Sequence, residues 1–559
     1  MENNLEKKND TSTGLKGSGL LPKNGSLSFA KSNVFLRLKS DRQKNILLVT
    51  PTSDRLVGVT KWLSANLGVE RLAGYMNLKG HYAEGYDTNL YKCIEKGPNL
   101  KEKFLERDWD IIGFSVLDDT KALDISNMYL AHELNPNALL IAGGAAAQFD
   151  YQTVLDKSPC KVVVIGEGEK PLLQLANGEP LENIKGIIFK SGNEPLTPDE
   201  FLEASNAIDY EKIPYEDFWD YYINLYKSKG EEITPLISSQ IHTIRVFARN
   251  YCPIGCKFCS STNILRSSPT DKTTIKVVDM VGAELITLLK RIIKAHPRVE
   301  TIYFTDDDFC LQKGKLISFL KLLIKEKLPL TFISFARITD LDEEVISHMA
   351  KAKFRTLNIG IESFQEEILK EYAKKLTVKR IDTVLKILKK YGIQPACTFI
   401  LCSPTTKLEW VENTAKRIKK EYENGILEPG VMVTTQPLKG SYFYEEYTDF
   451  ESDIIPIPNT ELTIKREYFI KCFDPEVKEL QYRYLFKWSE YIDDVATKNK
   501  GHLNSQIQSP QAIEMVLKLI DEIKKERGMN EQFRYSNMPL VDRRESWSKY
   551  MKYNYSTGL

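Results

Sequence analysis

No run of ~18 or more apolar residues, the least a bilayer-spanning helix needs, occurs in this 559-residue chain, so no membrane span is expected. Net charge is just as scarce. The 77 Lys and Arg against 76 Asp and Glu leave +1, too little of one sign to draw nucleic acid or an anionic membrane surface, and neither is expected as a partner. The six histidines are scattered singly and no second Cys-x2-Cys exists, which leaves a four-ligand structural zinc site without its other half. No apolar leader opens the chain, and its nine cysteines, three of them clustered as if for a metal, do not form a disulfide framework. A reducing, cytoplasmic setting is expected.

What is present is concentrated at Asn250-Tyr-Cys252-Pro-Ile-Gly-Cys256-Lys-Phe258-Cys259. Iron–sulfur clusters are held by cysteine thiolates, normally four for a four-iron cube. Three thiolates within eight residues bind three irons and leave the fourth open to chelate a small molecule and pass it an electron. With the aromatic Phe258 before the third cysteine, the run resembles the radical S-adenosylmethionine (SAM) superfamily. The resemblance implies one 4Fe-4S cluster on Cys252, Cys256 and Cys259, with SAM on the open iron. It also implies reductive cleavage to a 5′-deoxyadenosyl radical, and an electron donor such as flavodoxin or ferredoxin. Cys310, Cys397, Cys402 and Cys472 lack the spacing of an auxiliary cluster.

Ahead of that motif, residues of about 43–200 alternate short apolar strands with helical stretches. Strands are expected at Asn45–Thr50, Ala83–Asp87, Asp110–Ser115, Ala138–Ala142 and Lys161–Ile165, with helices around Val57–Leu67 and Ala122–Leu134. Such strands argue a parallel, doubly wound, Rossmann-like sheet, whose ligands lie past the carboxyl ends of the strands. Gly143-Gly144 and Gly166-Glu-Gly168-Glu169 fall on that edge, where missing side chains let a large ligand approach the backbone. Dinucleotide binding is not supported, because Gly166-x-Gly168 runs into Glu169-Lys-Pro171, a proline suited to a first helical turn. Leu72-Ala73, Gly80-His81, Asp110-Ile-Ile-Gly-Phe-Ser115, Gly143-Gly144 and Gly166–Glu169, in this order, resemble the cobalamin (B12)-binding domain joined to many radical SAM enzymes. That implies cobalamin against Ser115, Gly143, Gly144, Gly166, Glu167 and Gly168. The Asp-x-His-x-x-Gly signature of the mutase-type domains is absent. Neither His81 nor His132 has an Asp two residues earlier, so the resemblance to the methylating subgroup implies cobalamin without a protein histidine on cobalt. A flavodoxin-like domain without a ligand is the other reading of the same strands.

After an acidic, aromatic connector of about 201–236, packed by Tyr210, Phe218 and Trp219, six strand-plus-helix repeats over about 237–440 suggest a partial (β/α)6 barrel. Barrel chemistry sits at carboxyl strand ends, and polar residues collect there. The family resemblance implies Asp306 and Asp307 for the amino group of SAM, leaving Asp308 as a helix cap. Arg337, which ends the third strand, is a bidentate donor suited to the SAM carboxylate or else part of a surface salt bridge, and the resemblance implies Glu362 and Ser363, in Gly360-Ile-Glu-Ser, for the ribose and methionine end. Family members often carry a glycine before the proline of the fifth strand, where this chain reads Phe399-Ile-Leu-Cys402-Ser-Pro404, so Cys402 takes a place at the open mouth. It is either a contact at the mouth that can donate a hydrogen atom or a small buried hydrophobe. Residues 1–42 are too polar to fold and form an arm. Residues 441–559 are expected to be helical, over Glu467–Asn499, broken near its start by Pro475, and Ser509–Arg527.

Together these features predict an α/β enzyme of three parts: a Rossmann-like cobalamin-binding domain, a radical SAM barrel and a helical C-terminal region. The expected activity is C-methylation of an unactivated carbon on a small-molecule or natural-product substrate, using methylcobalamin and the 5′-deoxyadenosyl radical. The alternatives are a non-methylating radical rearrangement or cyclisation, and a cluster- or cobalamin-binding sensor without turnover.

Overall fold

The computed structural model describes residues 37–52, 65–88, 94, 96–188, 196–250, 252, 254–261, 278–498, 505–526 and 543–546. The arm expected over 1–42 falls outside them up to residue 36, as does the helix expected at Val57–Leu67 over 53–64.

Five short strands build the first sheet: β1 (Asn45–Val49), β2 (Tyr82–Tyr86), β3 (Ile111–Ser115), β4 (Leu139–Gly143) and β5 (Val162–Val163). Their order is β2-β1-β3-β4-β5, all parallel. The uncharged β1, β3 and β4 let both faces be covered: Ile46, Leu48, Ile111 and Ile141 pack on one side, Leu47, Ile112, Phe114 and Leu140 on the other. The direction of strand addition reverses between β1 and β3, which opens a crevice at their carboxyl ends. The buried Asp110 pins the start of β1 by accepting the Asn45 amide at 2.9 Å and pairing with Arg37 at 2.6 Å. Helix Leu67–Leu78, absent from the expected elements, begins at Asn66, whose side chain accepts the Val69 amide at 3.2 Å. It lies so close to the connector that a Cβ on Gly74 would stand 2.0 Å from the Ala207 carbonyl oxygen.

The connector contributes Tyr210, Phe218 and Trp219, all buried in the core of the second sheet. That sheet holds β6 (Thr243–Val246), β7 (Thr301–Phe304), β8 (Thr331–Ala336), β9 (Phe354–Glu362), β10 (Gln394–Cys402) and β11 (Glu428–Thr434). They are parallel and paired strictly in sequence order, with β6 and β11 unpaired to each other, so the barrel is open. Period-two alternation assigns the faces. Ile244, Val246, Ile302, Phe304, Leu357 and Ile359 are buried against the outer helices, while Arg245, Tyr303, Phe335 and Asn358 alternate with them on the inner face. The outer layer includes helix Ala283–Ala295, another element absent from the expected set.

The C-terminal region departs from an all-helical reading. Glu467–Ile470, expected to start a helix, is the end of β13 (Thr463–Ile470), antiparallel to β12 (Phe450–Pro456). The β-branched and aromatic content of 463–470 suits a pleated surface. Pro475 opens the helix Pro475–Lys498 instead of breaking it, since a first-turn proline gives up only an N–H that has no helical partner. The second helix runs Ser505–Lys525. Ile457 and Ile464 of the hairpin region pack on Ile125 of helix Lys121–Leu134, which fastens this region to the first domain. Among the described residues no helix is long and apolar enough to cross a membrane.

Candidate cofactor sites

A cavity opens at the carboxyl edge of the first sheet. It is walled by Leu48 of β1, Gly113–Ser115 of β3, Ile141–Gly144 of β4, the Gly166–Glu169 turn after β5, and Gly68, Arg71 and Leu72 of helix Leu67–Leu78. Ser115, Gly143, Gly144, Gly166, Glu167 and Gly168 all line it. Two of these glycines are needed by the backbone. Gly144 has φ +91° with a Cβ position 3.0 Å from the Val116 carbonyl oxygen, and Gly166 has φ +73°. No described histidine lines the cavity. His81 precedes the first residue of β2, at the opposite edge, where its Nδ1 accepts the Lys44 amide at 3.4 Å. His132 sits in the last turn of helix Lys121–Leu134, which leads back to the start of β4.

Arg71 is the cavity residue that sequence reasoning missed, for an isolated arginine within a helix carries no signal. It pairs with Glu167 at 2.5 Å and with the fully buried Glu169 at 2.6 Å. Its guanidinium lies over Phe201 and Phe247, 5.3 and 5.7 Å from the ring centres. Burial opposes the charge of Arg71, yet Glu169 and Glu167 hold its pKa above the usual value. Burial likewise raises the Glu169 carboxyl, with Arg71 opposing it. Arg71→Leu therefore strands a carboxylate in the interior and is expected to cost about 3–5 kcal/mol. Thermal melting checks this, with Glu169→Gln in the same background recovering part of the loss. A single variant that melts with the parent refutes the pairing.

The cysteine loop leaves β6 under firm restraint. Asp306, fully buried after β7, accepts the Ala248 amide at 2.7 Å and the Arg249 amide on the same oxygen. Burial pushes its pKa up to about 7. Further along, the Lys257 amide donates to the Tyr372 carbonyl at 3.1 Å and the Phe443 amide to the Lys257 carbonyl at 2.9 Å. Phe258 meets Tyr372 edge-on at 5.0 Å within an apolar cluster that includes Ile400 and Phe443. Phe258 is thus the anchor that docks the loop. Gly255 turns it with φ +78°.

Cys252, Cys256 and Cys259 form no disulfide. Burial raises the Cys256 pKa and takes that of Cys252 up to about 12. Thiolates at these positions would therefore need positive charge beside them. One source is Lys374, another residue the sequence hid, because Lys374-Lys375 looks like a solvated charge pair. Lys374 forms an ion pair with the buried Glu362 at 3.0 Å, and its charge reaches Cys256 and Cys259. Burial opposes the ammonium while Glu362 and Cys256 raise its pKa. The surrounding backbone is strained. Glu362, Ala373 and Lys375 adopt left-handed φ of 68°, 54° and 52°, each costing of order 1 kcal/mol or more unless its surroundings enforce it. A Cβ on Gly360 would fall 2.4 Å from Glu362 Oε1 and 3.0 Å from Lys374 Nζ, so only glycine leaves room for the pair. Three thiols on one docked loop, with the charge of Lys374 reaching two of them from the segment after helix Glu366–Glu371, fit a thiolate-bound cluster.

The other expected SAM contacts separate on inspection. Asp307 alone of the acidic run is open to solvent, hydrogen-bonded to Ser261 just past the cysteines, with burial by its surroundings raising its pKa. Asp306 is committed to the loop backbone. Asp308 is buried and pairs with Arg337 at 2.9 Å, a fixed role in place of a helix cap. Arg337 is also bound to Asp340 through Nε at 2.5 Å and Nη2 at 2.9 Å, so the guanidinium expected for the SAM carboxylate is held by two protein carboxylates near Cys252. Ser363 accepts the Gln365 amide at 3.1 Å and stands 3.5 Å from Thr414 in the outer layer, away from the mouth. Cys402 is fully buried beside Cys472, whose thiol donates to the Ser403 carbonyl at 3.1 Å. That is the small-hydrophobe setting.

The two sites face each other. Asn250, two residues before Cys252, donates from Nδ2 to Glu167 Oε1 at 3.4 Å and accepts the Val278 amide at 3.1 Å. On another side Lys439, after β11, pairs with Asp150 at 2.7 Å, and Asp150 also pairs with Lys121 at 2.5 Å.

Comparison with known proteins agrees with this arrangement. The Radical SAM superfamily model matches residues 246–418 and the B12 binding domain model matches residues 56–176. An uncharacterised methyltransferase of Pyrococcus horikoshii is 25% identical over 389 residues, covering 67% of this chain and 78% of its own length. The anaerobic magnesium-protoporphyrin IX monomethyl ester cyclase of Cereibacter sphaeroides is 26% identical over 369 residues, 63% of this chain and 55% of the relative. Among solved structures, the radical SAM methyltransferase TsrM of Kitasatospora setae, with cobalamin and a [4Fe-4S] cluster bound, superposes with a TM-score of 0.58. It has 14% identity and covers 86% of this chain and all of that one. The cobalamin-dependent SAM radical enzyme OxsB gives 0.58 at 16% identity, over 91% and 84% of the two chains.

Proposed function

Because the chain belongs to the radical SAM enzymes that carry a B12-binding domain, we propose that it transfers a methyl group to a carbon that polar SAM chemistry cannot reach. The observation that carries the reading is the bridge from Glu167 to Asn250, which sets the glycine-lined cavity against the cysteine loop. A single substrate can then lie between the two cofactor sites. Bound there, the cluster and SAM would supply a carbon-centred radical and cobalamin a transferable methyl group. The protein's part is placement. Cys252, Cys256 and Cys259 hold the iron, Phe258 docks their loop, Lys374 balances thiolate charge, and Asp307 offers a carboxylate to the SAM ammonium. Gly143, Gly144, Gly166 and Gly168 give the corrin backbone access, with Ser115 and Glu167 beside them. The electron would come from a flavodoxin or ferredoxin in the cytoplasm, and the substrate is a small molecule.

The test is anaerobic reconstitution followed by reduction with SAM. Methylation yields S-adenosylhomocysteine alongside 5′-deoxyadenosine. The similarity to a cyclase favours a second reading, radical cyclisation, which would give 5′-deoxyadenosine without S-adenosylhomocysteine. Neither product under strong reduction would exclude both readings.

Both His81 and His132 lie away from the cavity, so the cob(II)alamin form is expected to show no cobalt ligation by a protein histidine. Electron paramagnetic resonance checks this through nitrogen superhyperfine splitting. Splitting that disappears in His81→Ala or His132→Ala would overturn the placement of the cofactor at this edge.

A further inference from the structure

Inside the barrel, below the cysteine loop, one cation has no anionic partner among the described residues. Arg245 lies on the inner face of β6, half-buried, and makes no hydrogen bond or ion pair among the described residues. Its guanidinium stands 5.8 Å from the ring centre of Tyr303, its register neighbour on β7. Every other arginine described above is met by carboxylates or backbone carbonyls, as a guanidinium partly withdrawn from water requires. Tyr303 is itself half-satisfied. Asn358 Nδ2 donates to its hydroxyl oxygen at 2.9 Å, while its own O–H finds no acceptor among the described residues. Burial takes the phenol pKa up to about 12, so that proton is present at neutral pH. Beside it, Phe335 packs 5.7 Å from the Tyr303 ring. The facing strands bring small side chains to the same interior, Thr398 on β10 and Gly430 on β11, which pair directly.

An uncompensated guanidinium and a phenol O–H on one wall, beside two rings and opposite small residues, form a donor set without an acceptor. We propose that Arg245 and Tyr303 bind an oxyanion of the substrate, a carboxylate or a phosphate, with an attached flat ring resting on Tyr303 and Phe335. The guanidinium fork matches either oxyanion in a bidentate way. This specifies the substrate class of the function proposed above and rests on that reading.

The test uses equilibrium dialysis of the anaerobically reconstituted full chain with three labelled probes: benzoate, phenyl phosphate and the uncharged benzyl alcohol. Either anion is expected to bind more tightly than the alcohol, and the preferred one names the oxyanion. Arg245→Gln is expected to weaken that anion about tenfold to a hundredfold, the range for a lost charge-assisted hydrogen bond. Arg245→Lys, which keeps the charge without the fork, should fall between and carries the test if the Gln variant does not fold. Equal binding of all three probes by the parent, or unchanged anion binding in both variants, overturns the proposal. So does a loss in Arg245→Gln that is as large for SAM as for the anion, because the cation would then belong to the SAM pocket. SAM cleavage by the parent is scored separately. Its absence defeats the radical enzyme reading and leaves the anion measurement to be judged by itself.

Discussion

Replacing Cys252, Cys256 and Cys259 together by alanine is expected to remove the iron and abolish all 5′-deoxyadenosine formation while leaving the protein folded. The loop that carries these residues is held by contacts none of the three thiols makes. Asp306 grips its entry, Phe258 is packed on Tyr372, and backbone hydrogen bonds join Lys257 to Tyr372 and Phe443. The first domain's cavity and its Arg71–Glu169 pair lie elsewhere, so cobalamin binding should persist in the triple variant. Iron analysis, product chromatography and cobalamin absorbance measure the three consequences separately. Retention of about four irons per chain, the content of one intact cube, would show that the cluster is held by other residues.

Asp307→Asn is expected to lower SAM affinity about tenfold to a hundredfold without loss of iron. A hydrogen bond to a charged group contributes roughly 1.5–3 kcal/mol, and ~1.4 kcal/mol is a decade in Kd. Asp306→Asn makes the contrast. Its carboxylate serves the Ala248 and Arg249 amides from a site with no exposure, so its loss should appear in melting temperature and cluster retention, with SAM Kd changed little. Calorimetric titration of SAM into both variants decides between them. Parent-like SAM binding by Asp307→Asn would mean that the acidic run only shapes the loop, and an Asp306→Asn defect confined to SAM would reverse the two assignments.

The barrel's six-strand plan was legible because its signals are local, although helix Ala283–Ala295 was missed. Helices Lys313–Glu326 and Val378–Tyr391 bury residues at helical spacing, Leu316, Ile317 and Leu320 in the first and Ile381, Val384, Leu385 and Leu388 in the second, and that periodicity is written in the segment itself. Strands β1, β3 and β4 stand out for a related reason: covered on both faces, they read as unbroken apolar runs. The hairpin Phe450–Ile470 did not, because Glu467–Ile470 continues into helix-like spacing and only pairing with Phe450–Pro456 and packing on Ile125 makes it a strand. Helix Leu67–Leu78 was hidden by two glycines and a polar tail, and it is stabilised by the connector pressed against Gly74.

By itself the sequence determined the cofactor chemistry, because three cysteines bracketing one tight loop are a covalent-chain property that no folding can undo. It also determined which strand edge is glycine-lined. Tertiary structure alone decided the partners of each charge. Asp306, Asp307 and Asp308 are consecutive and chemically alike, yet one holds backbone amides, one opens to the mouth and one is paired with Arg337. Arg71, Arg337 and Arg245 are the same residue in three settings, and among the described residues only the third meets no anion. Electrostatic energy depends on distances between groups far apart in the chain and on the water excluded around them, and neither quantity is set until the two sheets have closed on each other.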